Sequence, residues 1–138
     1  MQGQALTLQI DRHTVQSILH HALAASPSPC CGLLGNHLDA SDPSNITAAR
    51  TLPDSGQSLR QAAQDWCRQG FSICGLYHTP NISSDSIKAL ATTLFELCNK
   101  TALIDIAVEM ATDGRMDANA FWLDAAGNRQ SVALLMQE

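Results

Sequence analysis

The chain has 138 residues, of which 45% are hydrophobic and 15% are charged, and its formal net charge is -5 at pH 7. This length suits one domain that buries a core without disulfides or a structural metal, so we expect a single domain over residues 1–138. The negative charge and the absence of a Lys/Arg cluster argue against nucleic acid or an anionic membrane as the main partner.

Two further features bear on the compartment. The apolar runs are too short to span a bilayer, and the first residues, MQGQALTLQI, lack a basic segment followed by an apolar one. Five cysteines without a CxxC pair favour reduced thiols over a disulfide framework. The sequence therefore predicts a cytoplasmic protein.

The first predicted elements are a strand and a helix. Alternating apolar and polar residues predict a strand over 5–10, with a turn at Asp11. Apolar residues at helical spacing predict a helix over 14–25, which the SPSP segment ends because proline cannot continue it. We interpret His20 and His21, in the last turns of this helix, as solvated side chains rather than ligands.

The middle of the chain predicts two strands and a second helix. The segment CCGLLGNHL predicts a strand over 31–38, in which Gly32 and Gly35 let another backbone come close. After a loop of turn residues, alternation predicts one strand over 46–52. An apolar stripe at helical spacing then predicts a helix over 58–69.

The segment FSICGLYHTPNISSDSIKAL carries the most unusual chemistry of the chain. Its apolar start predicts a buried strand over 71–77, and His78 lies where this strand ends. Pro80 breaks the strand.

A third helix is predicted over 85–98, and Ser83, Ser84 or Asp85 can accept the free N–H groups at its start. A His at the end of a strand that faces an Asp in the first turn of the next helix can hold a metal or a substrate. His78 and Asp85 are therefore candidate site residues.

The last third predicts three strands. In the strand over 103–110, Asp105 and Glu109 lie on the face opposite to the apolar one, so we expect that face to meet solvent. Residues 112–119 are polar and are interpreted as a flexible connection. A hairpin follows, with strands over 120–123 and 131–136.

Together these elements predict a mixed central sheet flanked by helices, of the α+β or α/β type. Three side chains on the helical stripes are expected to be largely buried against the sheet: Trp66, Leu90 and Leu94.

Several segments resemble one family. HHALAASPSPCCGLLGN resembles the opening of JAB/MPN domains, the group that contains the JAMM zinc isopeptidases. GLYHTP resembles the strand end Gly-x-Tyr-His-Ser/Thr-His-Pro of that family, and SSDSIKAL resembles the Asp-bearing start of its next helix. TALIDIAVEM and FWLDAAGNRQSVALLM are similar to its last strands. The resemblance covers almost the whole chain in the same element order, and it implies a fold of the JAB/MPN (cytidine-deaminase-like) type.

The departures from the family pattern decide what the resemblance implies about activity. In active members a Glu is the general base toward a zinc-bound water, and two His and one Asp hold the zinc. Pro29 stands at the Glu position here, and Thr79 is followed directly by Pro80, so the second His is absent. Asp85 resembles the Asp of the motif, but it lies closer to His78 than the family spacing.

The remaining candidates describe a vestigial site: His78, Asp85, Ser83, Ser84, Pro29 and Cys30. Two ligands leave a weak metal site, because a catalytic zinc normally takes three protein ligands and a water, so we expect no zinc. The alternative is a zinc held by His78, Asp85 and a cysteine such as Cys30. A buried structural role is favoured for the thiols, and Cys31 has the buried position of the family. A third hypothesis makes Cys30 a nucleophile with His78 as its base.

The sequence thus predicts a catalytically inactive JAB/MPN-like domain that acts as a protein-binding or dimerisation module. The partner would be the tail of a ubiquitin-like or sulfur-carrier protein, taken up as an extra strand, or a second copy of the chain. The alternative function is a zinc-dependent peptidase or isopeptidase with a rearranged metal site.

Overall fold

The computed structural model describes residues 7–26, 28–37, 45–51, 59–80, 82–98, 102–110 and 116–137. These parts of the chain form the following elements: β1 Thr7–Asp11, α1 Arg12–Ala25, β2 Cys31–His37, β3 Asn45–Ile46, β4 Ala48–Thr51, α2 Leu59–Arg68, β5 Phe71–His78, α3 Ser84–Cys98, β6 Ala102–Met110, β7 Met116–Asp124 and β8 Arg129–Gln137. The strand order is β3-β1-β8-β7-β6-β5-β2-β4.

The sheet is mixed. β1 runs parallel to β3 and β8, and β5 runs parallel to β6. The other neighbouring pairs are antiparallel. The fold is therefore a mixed α+β domain with one large sheet and helices packed against it, as the sequence predicts.

The sheet curls until its two edges come close. β3 and β4 lie at opposite ends of the strand order, yet only Thr47 separates them in the chain. The N–H of Thr47 donates to the carbonyl oxygen of Gly35 on β2. The chain thus crosses from one edge to the other in a single residue, which gives the sheet a nearly barrel-like form.

This crossing corrects the prediction of one strand over 46–52. Ile46 pairs with Ile10 of β1, whereas Ala48 pairs with Gly35 of β2, so two strands with different partners replace the single one. Alternation within one segment cannot reveal a change of partner, because both strands keep the same period. Residue 52 lies outside the described residues.

Two apolar clusters fill the two sides of the sheet. The first is enclosed by the curled strands and α1, and it contains buried Leu8, Ile18, Tyr77 and Ile106. The second lies under α2 and α3. Trp66 and Leu94 are buried there at 4% and 0% exposure, as predicted. Leu90 is only half-buried, because it lies at the border of the stripe of α3 that faces the sheet.

Close approach at the glycines of β2 is confirmed. A Cβ at Gly32 would meet the carbonyl oxygen of Arg50 and the ring of Tyr77, and a Cβ at Gly35 would meet the carbonyl oxygen of Ser72. Gly127, in the β7–β8 turn, has a φ of 92°, a region that L side chains rarely adopt.

Two predicted boundaries differ from the structure. Asp11 is the N-cap of α1 rather than a turn, since its carboxylate accepts the N–H of Thr14 at 2.8 Å, and the helix begins at Arg12. Residues 116–119 belong to β7 and pair with β6, so the interpretation of 112–119 as a flexible connection is wrong for that part. The side chains of residues 117–119 are polar or small and exposed, so this part of the strand has the composition of a loop. Residues 112–115 lie outside the described residues.

None of the described helices has the length and apolar character that crossing a membrane requires.

Candidate functional site

The ends of β2 and β5 meet at the segment that carries the family-like motifs. Cys31 lies opposite His78 in the antiparallel ladder. The N–H of Thr79 donates to the carbonyl oxygen of Cys30 at 3.0 Å, and the N–H of Cys30 donates to Oγ1 of Thr79 at 3.0 Å. Thr79 therefore fixes the two segments side by side through its backbone and its hydroxyl.

His78 is buried at the end of β5, with 5% of its surface exposed. Its Nε2 lies 2.9 Å from Oδ1 of Asp105, and its Nδ1 lies 3.1 Å from the carbonyl oxygen of Thr79. The Nε2–H bond is not aligned with the carboxylate oxygen, so this contact is a close ion pair rather than a well-directed hydrogen bond. Both partner atoms are acceptors, so both contacts favour a protonated ring nitrogen on their side.

Asp105 corrects the prediction that its face of β6 meets solvent. Only 1% of the residue is exposed, although Glu109 on the same strand is exposed as expected. The parallel ladder pairs Leu76 with Asp105 and His78 with Ala107, which puts the side chains of His78 and Asp105 on one face. One carboxylate within the apolar run ALIDIAV is the sequence signal that could have indicated a buried, paired charge.

Arg129 is the second partner of Asp105, and the sequence did not indicate it. Its Nη2 donates to Oδ2 of Asp105 at 2.9 Å, while 47% of its side chain remains exposed. The guanidinium carbon lies 4.0 Å from the centre of the Phe121 ring. His78, Asp105 and Arg129 thus form a triad that joins β5, β6 and β8, in which His78 and Asp105 are buried and Arg129 reaches solvent.

The triad sets the protonation of His78. Burial by itself lowers the pKa of His78, but contact with Asp105 and its negative charge raise it, and the Thr79 carbonyl adds to that effect. Arg129 opposes them weakly. The net result is a pKa raised above the ordinary value of a histidine.

The other predicted site residues near α3 lie at the surface. Asp85 is exposed in the first turn of α3. Ser83 precedes the helix, and its Oγ accepts the N–H of Ser86 at 3.2 Å, so Ser83 caps α3. Ser84 begins the helix, and its side chain lies outside what is described. Pro29, before β2, is exposed.

The expectation of buried thiols is confirmed for Cys30 and is wrong for Cys31. Cys30 is buried at 7% exposure, whereas Cys31 is only half-buried. Burial raises the pKa of the Cys30 thiol, which favours the protonated form over the nucleophilic thiolate. The ring nitrogens of His78 contact Asp105 and Thr79 rather than this thiol. The arrangement gives no support to Cys30 as an activated nucleophile.

These residues do not fit a zinc site built on His78 and Asp85. A histidine that binds zinc must offer a nitrogen lone pair to the metal, but both ring nitrogens of His78 face acceptor oxygens. In the part of the chain that the structure describes, no three His, Cys, Asp or Glu side chains gather where they could hold a metal ion. That the protein holds no zinc stays a prediction.

A second buried polar contact corrects the interpretation of His21. Its Nδ1 lies 2.7 Å from the hydroxyl oxygen of Tyr77, and the two rings meet edge to face. Burial, followed by the charges of Cys30 and Cys31, raises the pKa of Tyr77. His21 is therefore a hydrogen-bonded residue of the β5 environment rather than a solvated one, while His20 is exposed as expected.

Comparison with known proteins establishes the fold alone. No family model and no curated protein matches the sequence. A solved structure that it resembles is the solution structure of protein DSY2949 from Desulfitobacterium hafniense, a structural-genomics target. The TM-score is 0.62 and the sequence identity 20%, over 95% of this chain and 93% of that one.

Proposed function

We propose that the chain is a JAB/MPN-type (cytidine-deaminase-like) domain that has no hydrolase activity and works by binding protein. The observation that carries the proposal is the pair of contacts made by the ring nitrogens of His78. Its two ring nitrogens are used by Asp105 and Thr79, so the residue that resembles a zinc ligand serves an internal ion pair. Pro29, at the position of the family's general base, carries no group that transfers a proton.

The binding role rests on the sheet edge beside this site. β4 ends the strand order and pairs with β2 on one side. Such an edge offers backbone N–H and C=O groups to an added strand. The proposed occupant is the extended tail of a ubiquitin-like or sulfur-carrier protein.

The proposal includes a homodimer as its second form. Large apolar side chains that are exposed in the described part of β8 are Leu135 and Met136, at 55% and 51% exposure. Burial of such side chains stabilises association. Sedimentation of the full chain across a range of concentrations tests this form, and the Leu135→Ser/Met136→Ser variant should remain a monomer wherever the parent dimerises.

The decisive experiment on catalysis is zinc analysis with an activity assay. After dialysis, elemental analysis should find no stoichiometric zinc, and isopeptide-linked and peptide substrates should stay intact. One tightly bound zinc per chain, lost in both His78→Ala and Asp85→Ala, would overturn the proposal and favour the zinc peptidase with a rearranged site.

The experiment on binding uses a peptide copy of the C-terminal tail of a ubiquitin-like protein. Its addition should protect the amides of Ala48–Thr51 from hydrogen exchange. A control peptide with proline at alternate positions should not, because proline cannot donate to a ladder. If the tail leaves these amides unchanged and the chain stays monomeric at every concentration, the binding proposal is wrong.

A further inference from the structure

A cleft of about 380 Å³ opens between α3 and the β7–β8 turn, with Asp105 at its base. This volume lies within the range of small-molecule sites. Its apolar lining comes mainly from four side chains: Ile87, Ala91, Phe95 and Leu123. The cleft therefore has room and apolar surface for a compact ligand body.

Two cations line the same cleft, Lys88 and Arg129. The whole chain carries a net charge of -5 and only eight Lys and Arg residues, so this pair is a local exception. Among the described residues Lys88 has no ion-pair partner. Arg129 donates one N–H hydrogen bond to Asp105, and a guanidinium has five N–H donors in all. Both cations thus keep donors for a ligand.

The two carboxylates of the cleft are already engaged. Asp105 lies between His78 and Arg129. Asp124 accepts the backbone N–H of Asn128 at 2.9 Å, the side-chain amide of Asn128 at 3.1 Å and the N–H of Ala126 at 3.0 Å. Asp105 is thus occupied by His78 and Arg129, and Asp124 by the turn that follows it, so neither carboxylate of the cleft is an ion-pair partner of Lys88.

From this arrangement we propose that the cleft binds a small molecule with one carboxylate and a compact apolar body. The carboxylate lies on Lys88 and Arg129, since a guanidinium matches the planar geometry of a carboxylate. The apolar body packs on the α3 side. A monoanion suits the cleft better than a phosphate dianion, because Asp124 lines the same cleft and would repel the larger negative charge. The inference does not depend on the proposed protein-binding role, because it concerns a different surface.

Two sources offer this chemistry, a free apolar carboxylic acid and the C-terminal residue of a peptide. The first probe is 3-phenylpropanoate, added to the isotope-labelled full chain and followed by amide chemical shifts. We expect saturable shifts at Thr92 and Gly127. The matched neutral probe, 3-phenylpropanamide, should bind with an affinity about tenfold lower, or should not bind at all. The reason is that hydrogen bonds to a charged group are stronger than those to a neutral one. Equal binding of the amide, or no saturable shift with either probe, overturns the proposal.

The matched variants are Lys88→Gln and Arg68→Gln. Both residues are exposed helix cations, but Arg68 lies on α2 and does not line this cleft. Lys88→Gln should weaken 3-phenylpropanoate binding about tenfold, the loss expected for one charged contact, and Arg68→Gln should leave it unchanged. If Lys88→Gln has no effect, or both variants weaken binding equally, the carboxylate is not held at this cleft and the proposal fails.

A second pair of probes identifies the source. A tripeptide that ends in phenylalanine is compared with its C-terminally amidated form. Tighter binding of the free tripeptide than of 3-phenylpropanoate supports a peptide C-terminus as the ligand. Binding of the acid alone supports a free carboxylic acid.

Discussion

The triad of His78, Asp105 and Arg129 lies among the apolar residues of β5 and β6. Removal of a charge from water is expensive, and attraction to partners offsets this cost only when the geometry is close. Both contacts of Asp105 are 2.9 Å long, and Arg129 keeps part of its guanidinium in solvent. The triad therefore depends most on Asp105, because loss of its carboxylate leaves the buried His78 without its counterion.

Asp105→Asn should reverse the direction of the pKa shift of His78. Asp105 raises the pKa of His78 against the lowering effect of burial, so without the carboxylate burial should dominate and move the pKa below its ordinary value. NMR titration of the His78 ring measures the pKa in both proteins. A His78 pKa that stays raised in Asp105→Asn would contradict the assignment of the shift to Asp105.

The same shift predicts the pH dependence of stability. A raised pKa in the folded state means that the stabilisation from His78 is complete below the unfolded value of about 6.5 and is lost as the pH rises through the folded pKa. The free energy of unfolding of the parent relative to Asp105→Asn should thus fall between mildly acidic and mildly alkaline pH. Urea denaturation across that window checks it, and a constant difference would contradict it.

Asp105→Ala should lower the free energy of unfolding by about 3–5 kcal/mol, the usual cost of breaking a buried ion pair. Glu109→Ala is the matched control, because Glu109 lies on the same strand and is exposed. The control should change stability by less than about 0.5 kcal/mol. Equal losses in the two variants, measured by urea denaturation, would mean that the buried pairing contributes nothing specific.

Among the elements, α3 has two roles: it packs against the sheet and it forms a wall of the cleft. Its buried stripe, Ala91 and Leu94, covers the sheet beside β5 and β6. Its half-buried and exposed border, which includes Ile87 and Lys88, forms one wall of the cleft. The helix therefore both stabilises the core and supplies binding surface, and single substitutions should separate the two roles.

Leu94→Ala should cost about 2–5 kcal/mol, because a fully buried leucine leaves a cavity in the second cluster. Leu90→Ala, on the same helix but only half-buried, should cost clearly less. Chemical denaturation of both variants measures the difference. A Leu94→Ala loss below about 1 kcal/mol would show that this stripe does not pack as described.

At the scale of the whole molecule, the two apolar clusters share the central strands. β5 contributes Tyr77 to the first cluster and Leu76 to the second, and β6 contributes Ile104 and Leu103 in the same way. Neighbouring residues of these strands therefore serve both faces of the sheet. The clusters should then unfold together.

The two tryptophans of the chain can test this cooperativity. Trp66 belongs to the second cluster, and Trp122 packs against the first. In Trp66→Phe and in Trp122→Phe, the fluorescence midpoint in urea should coincide with the midpoint from far-ultraviolet circular dichroism of the same variant. Midpoints that separate in either variant would mean that the two sides of the sheet unfold independently.

The order and type of most elements can be predicted from the amino-acid sequence. The stripes of α2 and α3 and the apolar run of β5 follow from side-chain periodicity, a local property written directly in the chain. The same reasoning placed His78 at the end of a strand and Ser83 among the residues that can cap α3, because proline and capping side chains act within a few residues.

Which residues meet depends instead on how distant segments pair in the folded chain. The change of strand partner at Thr47 and the burial of Asp105 depend on pairings between segments far apart in the chain. A strand's period says which residues share a face, but it does not say whether that face is covered. The sequence pattern therefore predicted a solvent-facing Asp105, although His78 and Arg129 contact it in the fold. The register between β5 and β6 places His78 beside it, and β8 brings Arg129 to it. No local sequence pattern contains the register or the path of β8.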